Sequence, residues 1–299
     1  MTTFTYNASG KLLLFGEYLV LRGARCLAIP LALGQTLRLY PIQEQGIVWR
    51  CFEREELWLE VVFSESLEVL QTSDIVMAAR IQELLKLVNR YNPDIPLSKW
   101  YFKFDLNFDR QFGLGTSSTL ISLLSQWSGV DPYLLSMRSF GGSAYDVAAA
   151  TAEKPFLYSL GRRYIKDVVL PQDITDHLLF IYMGQKRDSA AAVEAFDQIP
   201  TNYFQLEKMD NIVQFATQCR QIGEWGEMML ESEQLLSDIL GEQCVQDKYF
   251  KDYPYEIKSL GAWGGDFVMA TCRDINEAKA YFEQKQYKTV FTYNELIKK

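Results

Sequence analysis

The sequence predicts an α+β protein of two domains, and three observations carry that prediction. The chain has 299 residues, enough for two domains of ordinary size. Apolar residues make up 48% and charged residues 23%, the balance of a globular protein with a sizeable core. Strand-like runs fill residues 11–63, and the region beyond Pro171 reads strand, helices, strand pair, helix, strand, an order that suggests an α+β sandwich. The boundary is expected near Pro171, giving domains 1–170 and 171–299.

Taken in order, Lys11–Phe15 is a short apolar strand, followed by strand-like runs at Leu27–Leu33, Thr36–Tyr40, Ile47–Phe52 and Leu57–Phe63. The charged cluster Glu53-Arg54-Glu55-Glu56 falls between the last two and reads as a solvated hairpin tip. Ser73 is placed to cap a helix from Asp74 to about Asn89, whose Ile75, Val76, Ile81, Leu84, Leu85 and Val88 form one apolar stripe. Asn92-Pro93-Asp94-Ile95-Pro96 breaks it. Phe102, Phe104, Leu106 and Phe108 then alternate with Lys103, Asp105 and Asn107, the period of a half-buried strand.

That strand leads into Phe112-Gly113-Leu114-Gly115-Thr116-Ser117-Ser118-Thr119, and Leu120, Ile121, Leu123, Leu124 and Trp127 continue at helical spacing. The two glycines let the backbone turn tightly and approach a ligand closely. The unpaired N–H groups of the first helical turn carry partial positive charge into the loop, and three hydroxyls add donors and possible metal ligands. A phosphate chain suits such a loop; an ordinary capped helix entry would look the same in sequence. No Gly-Lys-Ser/Thr closes it, so it is not a Walker A loop.

Downstream, Asp131-Pro132 starts a helix, and Gly141-Gly142-Ser143-Ala144-Tyr145-Asp146 is a second glycine entry into one. Pro155–Leu160 and Tyr164–Val169 form a hairpin around Gly161. A strand at Leu178–Met183, three amphipathic helices across roughly Ser189–Leu240, strands from Tyr255 and at Phe267–Thr271, a helix from Asn276 and a strand at Thr289–Phe291 complete the chain.

A net charge of −8 argues against nucleic acid or an anionic membrane as the main partner and leaves room for a small anionic substrate held by local cations. No apolar run reaches membrane-spanning length, and Met1–Gly10 lacks the features of a signal peptide, so a cytoplasmic protein, monomeric or homodimeric, is expected. Five scattered cysteines without metal-ligand spacing fit a reducing compartment. The single histidine, His177, reads as structural.

Three glycine-bearing segments stand in a fixed order. They are Ser9-Gly10-Lys11-Leu12-Leu13-Leu14-Phe15-Gly16-Glu17-Tyr18, the central loop, and Ser259-Leu260-Gly261-Ala262-Trp263-Gly264-Gly265-Asp266. Together with Ser143-Ala144-Tyr145-Asp146-Val147-Ala148, they resemble the signatures of the GHMP kinases, named for galactokinase, homoserine kinase, mevalonate kinase and phosphomevalonate kinase. The resemblance implies the GHMP kinase fold: a ribosomal protein S5 domain 2-like N-terminal domain and a ferredoxin-like C-terminal domain. It implies ATP and Mg²⁺ as cofactors, with Gly113, Leu114, Gly115, Thr116, Ser117 and Ser118 on the ATP phosphates and Ser117 on the metal. It makes Lys11 and Asp146 the catalytic pair. Glu17, Tyr18, Gly261, Ala262, Gly264 and Gly265 fall at positions expected around the acceptor. Gly184-Gln185-Lys186-Arg187-Asp188-Ser189 supplies two cations and a hydroxyl, so Lys186, Arg187 and Ser189 are candidates for holding its carboxylate or phosphate; a solvated turn explains them equally.

Three departures from the family pattern stand out. Leu135 occupies the place of the Glu that completes the Mg²⁺ site in mevalonate kinase, Tyr18 that of a His, and Trp263 that of a hairpin Gly. The Trp263 change suggests a turn that packs against a partner group. The hairpin ending Gly264-Gly265-Asp266 and the run Tyr145-Asp146-Val147-Ala148-Ala149 look most like phosphomevalonate kinases, and the latter is also close to the bacterial group named for a Gly-Tyr-Asp-Ile-Ala motif. An ATP-dependent kinase of the mevalonate route is therefore expected, with phosphomevalonate ahead of mevalonate as acceptor. Two further readings stay open: a sensor that keeps the fold without turnover, against which Lys11 and Asp146 speak, and a diphosphomevalonate decarboxylase, a group that typically lacks the signature Lys.

Overall fold

The computed structural model describes residues 3–139, 141, 144–185, 189–263 and 265–297. Lys186, Arg187 and Gly264, named above as candidate acceptor contacts, and Gly142 and Ser143 of the second glycine entry lie outside the described residues. Contacts divide the chain into two interleaved units. The first comprises Met1–Gly10, Leu33–Arg110 and Gly115–Thr151; the second comprises Lys11–Ala32, Gln111–Leu114 and Ala152–Lys299. Two long strands, β1 (Phe4–Phe15) and β2 (Cys26–Pro41), each contribute to both.

In the first unit, β3 (Ile47–Glu53), β4 (Glu56–Phe63), β5 (Val69–Thr72) and β6 (Trp100–Leu106) join the second half of β2 in the order β5-β4-β3-β6-β2. The pairs are antiparallel except β3 with β6, which run parallel. The alternation at Phe102 and Phe104 buries both rings, which stack on Trp49 at 5.1 and 4.4 Å between centroids. On that face lie α1 (Ile75–Tyr91) and α2 (Thr116–Ser128), with Trp127 edge-on to Phe102 at 4.8 Å. Two shorter helices, α3 (Pro132–Ser139) and α4 (Tyr145–Thr151), pack with α2. Arg54 and Glu55 take positive φ between β3 and β4, so the charged cluster is a tight hairpin tip as expected.

The first unit also revises three expectations. The separate runs Leu27–Leu33 and Thr36–Tyr40 are one strand, β2, carried through Gly34. A Cβ at Gly34 would strike the Ala8 carbonyl oxygen, so the glycine permits close strand approach where the sequence suggested a break. Asp74 rather than Ser73 caps α1, its Oδ1 accepting from Val76 N and Met77 N, while Ser73 Oγ accepts from Glu60 N. Ile75 and Val76, expected in the buried stripe, occupy the first turn and are exposed.

In the second unit the first half of β2 pairs with β7 (Phe156–Ser159), which pairs with β8 (Arg163–Asp167). After the single turn α5 (Gln172–Thr175), a separate antiparallel sheet forms from β9 (Leu178–Tyr182), β10 (Ile257–Leu260), β11 (Phe267–Thr271) and β12 (Val290–Thr292). Its order, β10-β11-β9-β12, is the ferredoxin-like arrangement. Between β9 and β10 run α6 (Ser189–Asp197), α7 (Tyr203–Ala216), α8 (Ile222–Leu240) and α9 (Val245–Tyr249); α10 (Ile275–Gln284) precedes β12 and α11 (Tyr293–Leu296) follows it. Leu178, Leu179, Phe180 and Ile181 are all fully buried, so β9 has apolar matter on both faces. Trp225, Met229, Ser232, Glu233 and Leu236 form the buried face of α8, which packs on β10. Among the described residues no helix is long and apolar enough to cross a membrane.

Candidate active site

The glycine loop is held from both ends. Phe112, just before it, is buried against Tyr182, Phe267 and Phe291, with centroid separations of 4.7, 5.9 and 6.3 Å. Tyr182 Oη donates to the Gln111 carbonyl at 3.2 Å, and Lys11 N donates to the Leu114 carbonyl at 2.9 Å. The signature lysine's backbone thus lies beside the loop, and Lys11 itself is half-buried. Gly113 and Gly115 both have positive φ, at 68° and 96°, as the close turn requires.

Gly115 is the N-cap of α2, and no side chain caps the helix. The first helical hydrogen bond runs from Thr119 N to the Gly115 carbonyl, so the amides of Thr116, Ser117 and Ser118 come before the helical ladder. A helix start that lacks its own cap and follows a glycine loop is arranged to take an anion from outside. The hydroxyls divide into two roles. Ser118 is buried and donates to the Gly115 carbonyl at 2.8 Å, and Thr119 donates to Gln35 Oε1 at 3.0 Å; both brace the turn. Ser117 is exposed and Thr116 half-buried.

Ser117 and Thr116 also line a cavity within the first unit, together with Trp58, Met77, Arg80 and Gln35. Trp58 is covered by the Arg110 guanidinium 3.9 Å from its ring centroid, and Arg110 Nε pairs with Glu53 Oε2 at 2.6 Å. The cavity is small, about 70 Å³, well below the volume of a typical small-molecule site, and its lining is mostly apolar. These cavity residues escaped the sequence reading, because β4, α1 and the loop are joined only by folding. The one available signal was an aromatic, Trp58, beside the charged hairpin tip.

Elsewhere in the first unit, Asp146 occupies the first turn of α4 and is half-buried. In the second unit, Glu17 is only 2% exposed and its Oε1 accepts from Lys258 Nζ at 2.5 Å. Lys258 is fully buried and also donates to the Ser259 carbonyl at 2.8 Å. A second buried carboxylate, Glu233, accepts from Ser259 N, Ser259 Oγ and Val245 N at 3.0–3.1 Å. Burial pushes the Glu17 carboxyl up to about 7 against the pull of Lys258, and burial likewise raises that of Glu233. Tyr18 Oη accepts from Trp263 N at 2.8 Å, and its ring meets Phe196 of α6 at 5.1 Å. The two departures Tyr18 and Trp263 are therefore partners, and Trp263 is buried. Gly261 and Ala262 in the same turn are half-buried, Gly265 is buried, and Ser189 opens α6, exposed. Leu135 is fully buried in the first unit's core and offers no metal ligand.

The fold with this loop is that of the GHMP kinase structures. The chain is similar to the Streptococcus pneumoniae phosphomevalonate kinase in complex with phosphomevalonate and AMPPNP, at 18% identity and a TM-score of 0.71, over 98% of this chain and 100% of that one. It is similar to the Methanococcus jannaschii mevalonate kinase at 16% identity and 0.70, over 97% of each chain, and to the Lactococcus lactis galactokinase complexed with galactose at 12% and 0.68, over 97% and 92%. Comparison of the sequence with protein-family models and with curated proteins finds no match.

Proposed function

We propose that this protein is an ATP-dependent kinase of small anionic alcohols or phosphates, with phosphomevalonate as its acceptor. One observation carries the reading: α2 begins at a glycine entry without a side-chain cap, with Ser117 exposed in its first turn. ATP is then held with its phosphates on the amides of Gly113–Ser118. Phosphoryl transfer needs positioning and charge stabilisation more than covalent help. Lys11 supplies a cation to the transferring group, and Asp146 orients the acceptor oxygen. Tyr18, Gly261, Ala262 and Gly265 bound the acceptor, with Glu17 bracing that segment from inside the second unit. Lys186, Arg187 and Ser189 hold the acceptor's charged end.

The donor set fits a nucleotide-borne Mg²⁺, since Ser117 presents an exposed hydroxyl at the helix start and oxygen ligands suit that ion. When bound, Mg²⁺ neutralises charge on the phosphate oxygens. Phosphomevalonate is preferred over mevalonate because of the Gly265-Asp266 ending of the glycine turn and the Tyr145–Ala149 run. A phosphate monoester is largely dianionic at neutral pH and needs no base, so Asp146 has an orienting task.

The test is kcat/KM for ATP-dependent turnover of phosphomevalonate, mevalonate, homoserine and galactose. Phosphomevalonate is expected to be fastest. Faster turnover of mevalonate would overturn the acceptor and leave the kinase standing; no turnover of any of the four would count against both.

A further inference from the structure

We propose that α7, which lies wholly in the second unit, is a homodimerisation face on which α7 of a second copy of this chain packs antiparallel. α7 buries Met209, Ile212, Val213 and Ala216 on one side and packs with α8. Another side carries aromatic rings into solvent: Tyr203 is 70% exposed, Phe204 76% and Phe215 57%. Rings of this size ordinarily belong in a core or an interface. Phe215 follows Phe204 by eleven positions, three turns of helix, so the two rings leave α7 on nearly one line, about 16 Å apart. Lys208 and Asn211 lie between them, and both are exposed. The steps from Phe204 to Lys208, Asn211 and Phe215 are four, three and four residues, the spacing that keeps one stripe turned toward a partner helix.

The stripe itself names its occupant, because a two-fold interface has to be its own complement. Turned end for end about the point between Met209 and Asp210, it sets Phe204 on Phe215 of the second copy and Lys208 on Asn211 of that copy, and symmetry repeats both contacts. The Asn211 amide oxygen accepts from the ammonium. The exposed Glu207 beside each lysine offsets the two positive charges near the axis. A parallel arrangement would set lysine on lysine, so the polar pair at the centre selects the antiparallel one. The net charge of −8 argues against an anionic membrane as the cover for these rings. An aromatic side chain carries roughly 150–250 Å², so at these exposures the three rings of two copies offer on the order of 800 Å². The polar residues of the stripe bring the total near the roughly 1,000 Å² that a specific interface needs.

Sedimentation equilibrium of the full chain across the micromolar range reads the assembly directly. Wild type is expected to be a dimer. Phe204→Lys and Phe215→Glu are each expected to weaken it at least about tenfold, the effect of losing a central aromatic anchor. Circular dichroism is expected to show both variants folded, since both positions are exposed. The antiparallel register makes a sharper prediction: mixing the two variants restores a dimer. In the mixed pair the introduced lysine faces the introduced glutamate, and the remaining Phe204 and Phe215 face each other. Phe204→Ser and Phe215→Ser keep the test open if a charged variant fails to fold, and each is expected to weaken the dimer likewise. A wild type that stays monomeric throughout the range would overturn the proposal. A dimer that none of these variants weakens would place the interface elsewhere and overturn it too. Two monomeric charged variants that stay monomeric when mixed would overturn the antiparallel packing.

Discussion

Replacing Lys258 with methionine isolates the energetics of the buried cluster behind the signature strand. Lys258 is fully buried, 2.5 Å from Glu17 and 2.8 Å from the Ser259 carbonyl, and Glu233 supplies a second buried carboxylate. Methionine keeps the length and removes the charge, leaving the buried carboxylates of Glu17 and Glu233 without Lys258. Breaking a buried pair in this way costs about 3–5 kcal/mol. For a chain of this size that lowers Tm by roughly 6–15 °C. The pH dependence follows from Glu17, whose carboxyl is raised from 4.5 to about 7 by burial. A group raised in the folded state contributes stability below its unfolded pKa and loses it as pH rises through the folded one. Lys258 is the main influence holding that value down, so its loss moves the carboxyl further up and deepens the deficit above neutrality. Thermal unfolding followed by circular dichroism at pH 5.5 and pH 8 is the assay. A deficit that is larger at pH 8 is expected. An equal deficit at the two pH values, or one below about 1 kcal/mol, would refute a charged buried pair.

Four further substitutions address the loop and the lysine beside it. Lys11→Met is expected to lower kcat by about 10²–10³ with little change in ATP binding, as loss of one preorganised donor does; a near-normal kcat would remove Lys11 from the chemistry. Ser117→Ala is expected to weaken Mg·ATP use without affecting Tm, whereas Ser118→Ala, which loses the bond to the Gly115 carbonyl, costs about 1 kcal/mol of stability and spares the Mg²⁺ dependence of the rate. Identical metal titrations for wild type and Ser117→Ala would exclude that serine as a ligand. Gly113→Ala places a Cβ on the Asp266 carboxylate at positive φ, and AMPPNP affinity and Tm are both expected to drop, the backbone strain alone costing about 1–2 kcal/mol; unchanged affinity would contradict the close approach.

The parts of this protein that were legible in its sequence are local ones. Phe102 and Phe104 betray β6 by alternation, and the glycine loop with its helix lies within one short run, so spacing alone places them. Gly34 misleads because a glycine inside a strand and a glycine in a turn look alike until Ala8 is seen against it. The cap of α1 shifts by one residue because Ser73 is engaged by Glu60, a residue of the neighbouring strand. The site residues least visible beforehand are those whose partners are remote in sequence. Glu17 meets Lys258 across 241 positions, and Tyr18 meets Trp263 across 245. Read singly, Tyr18 and Trp263 are two departures from a family pattern; folded, the tyrosine hydroxyl receives the tryptophan amide and makes them one joint. Asp266 belongs to the same class, since only the fold lays its carboxylate on Gly113.

The most direct test of the central claim is a phosphorus resonance experiment on the full chain with ATP, Mg²⁺ and phosphomevalonate, following every phosphate species over time. Kinase action predicts ADP and a diphosphate ester of the acceptor rising in equal amounts, with no free phosphate, and no such rise in Lys11→Met. ADP accompanied by inorganic phosphate and an unmodified acceptor, or ATP left intact by wild type, would contradict it.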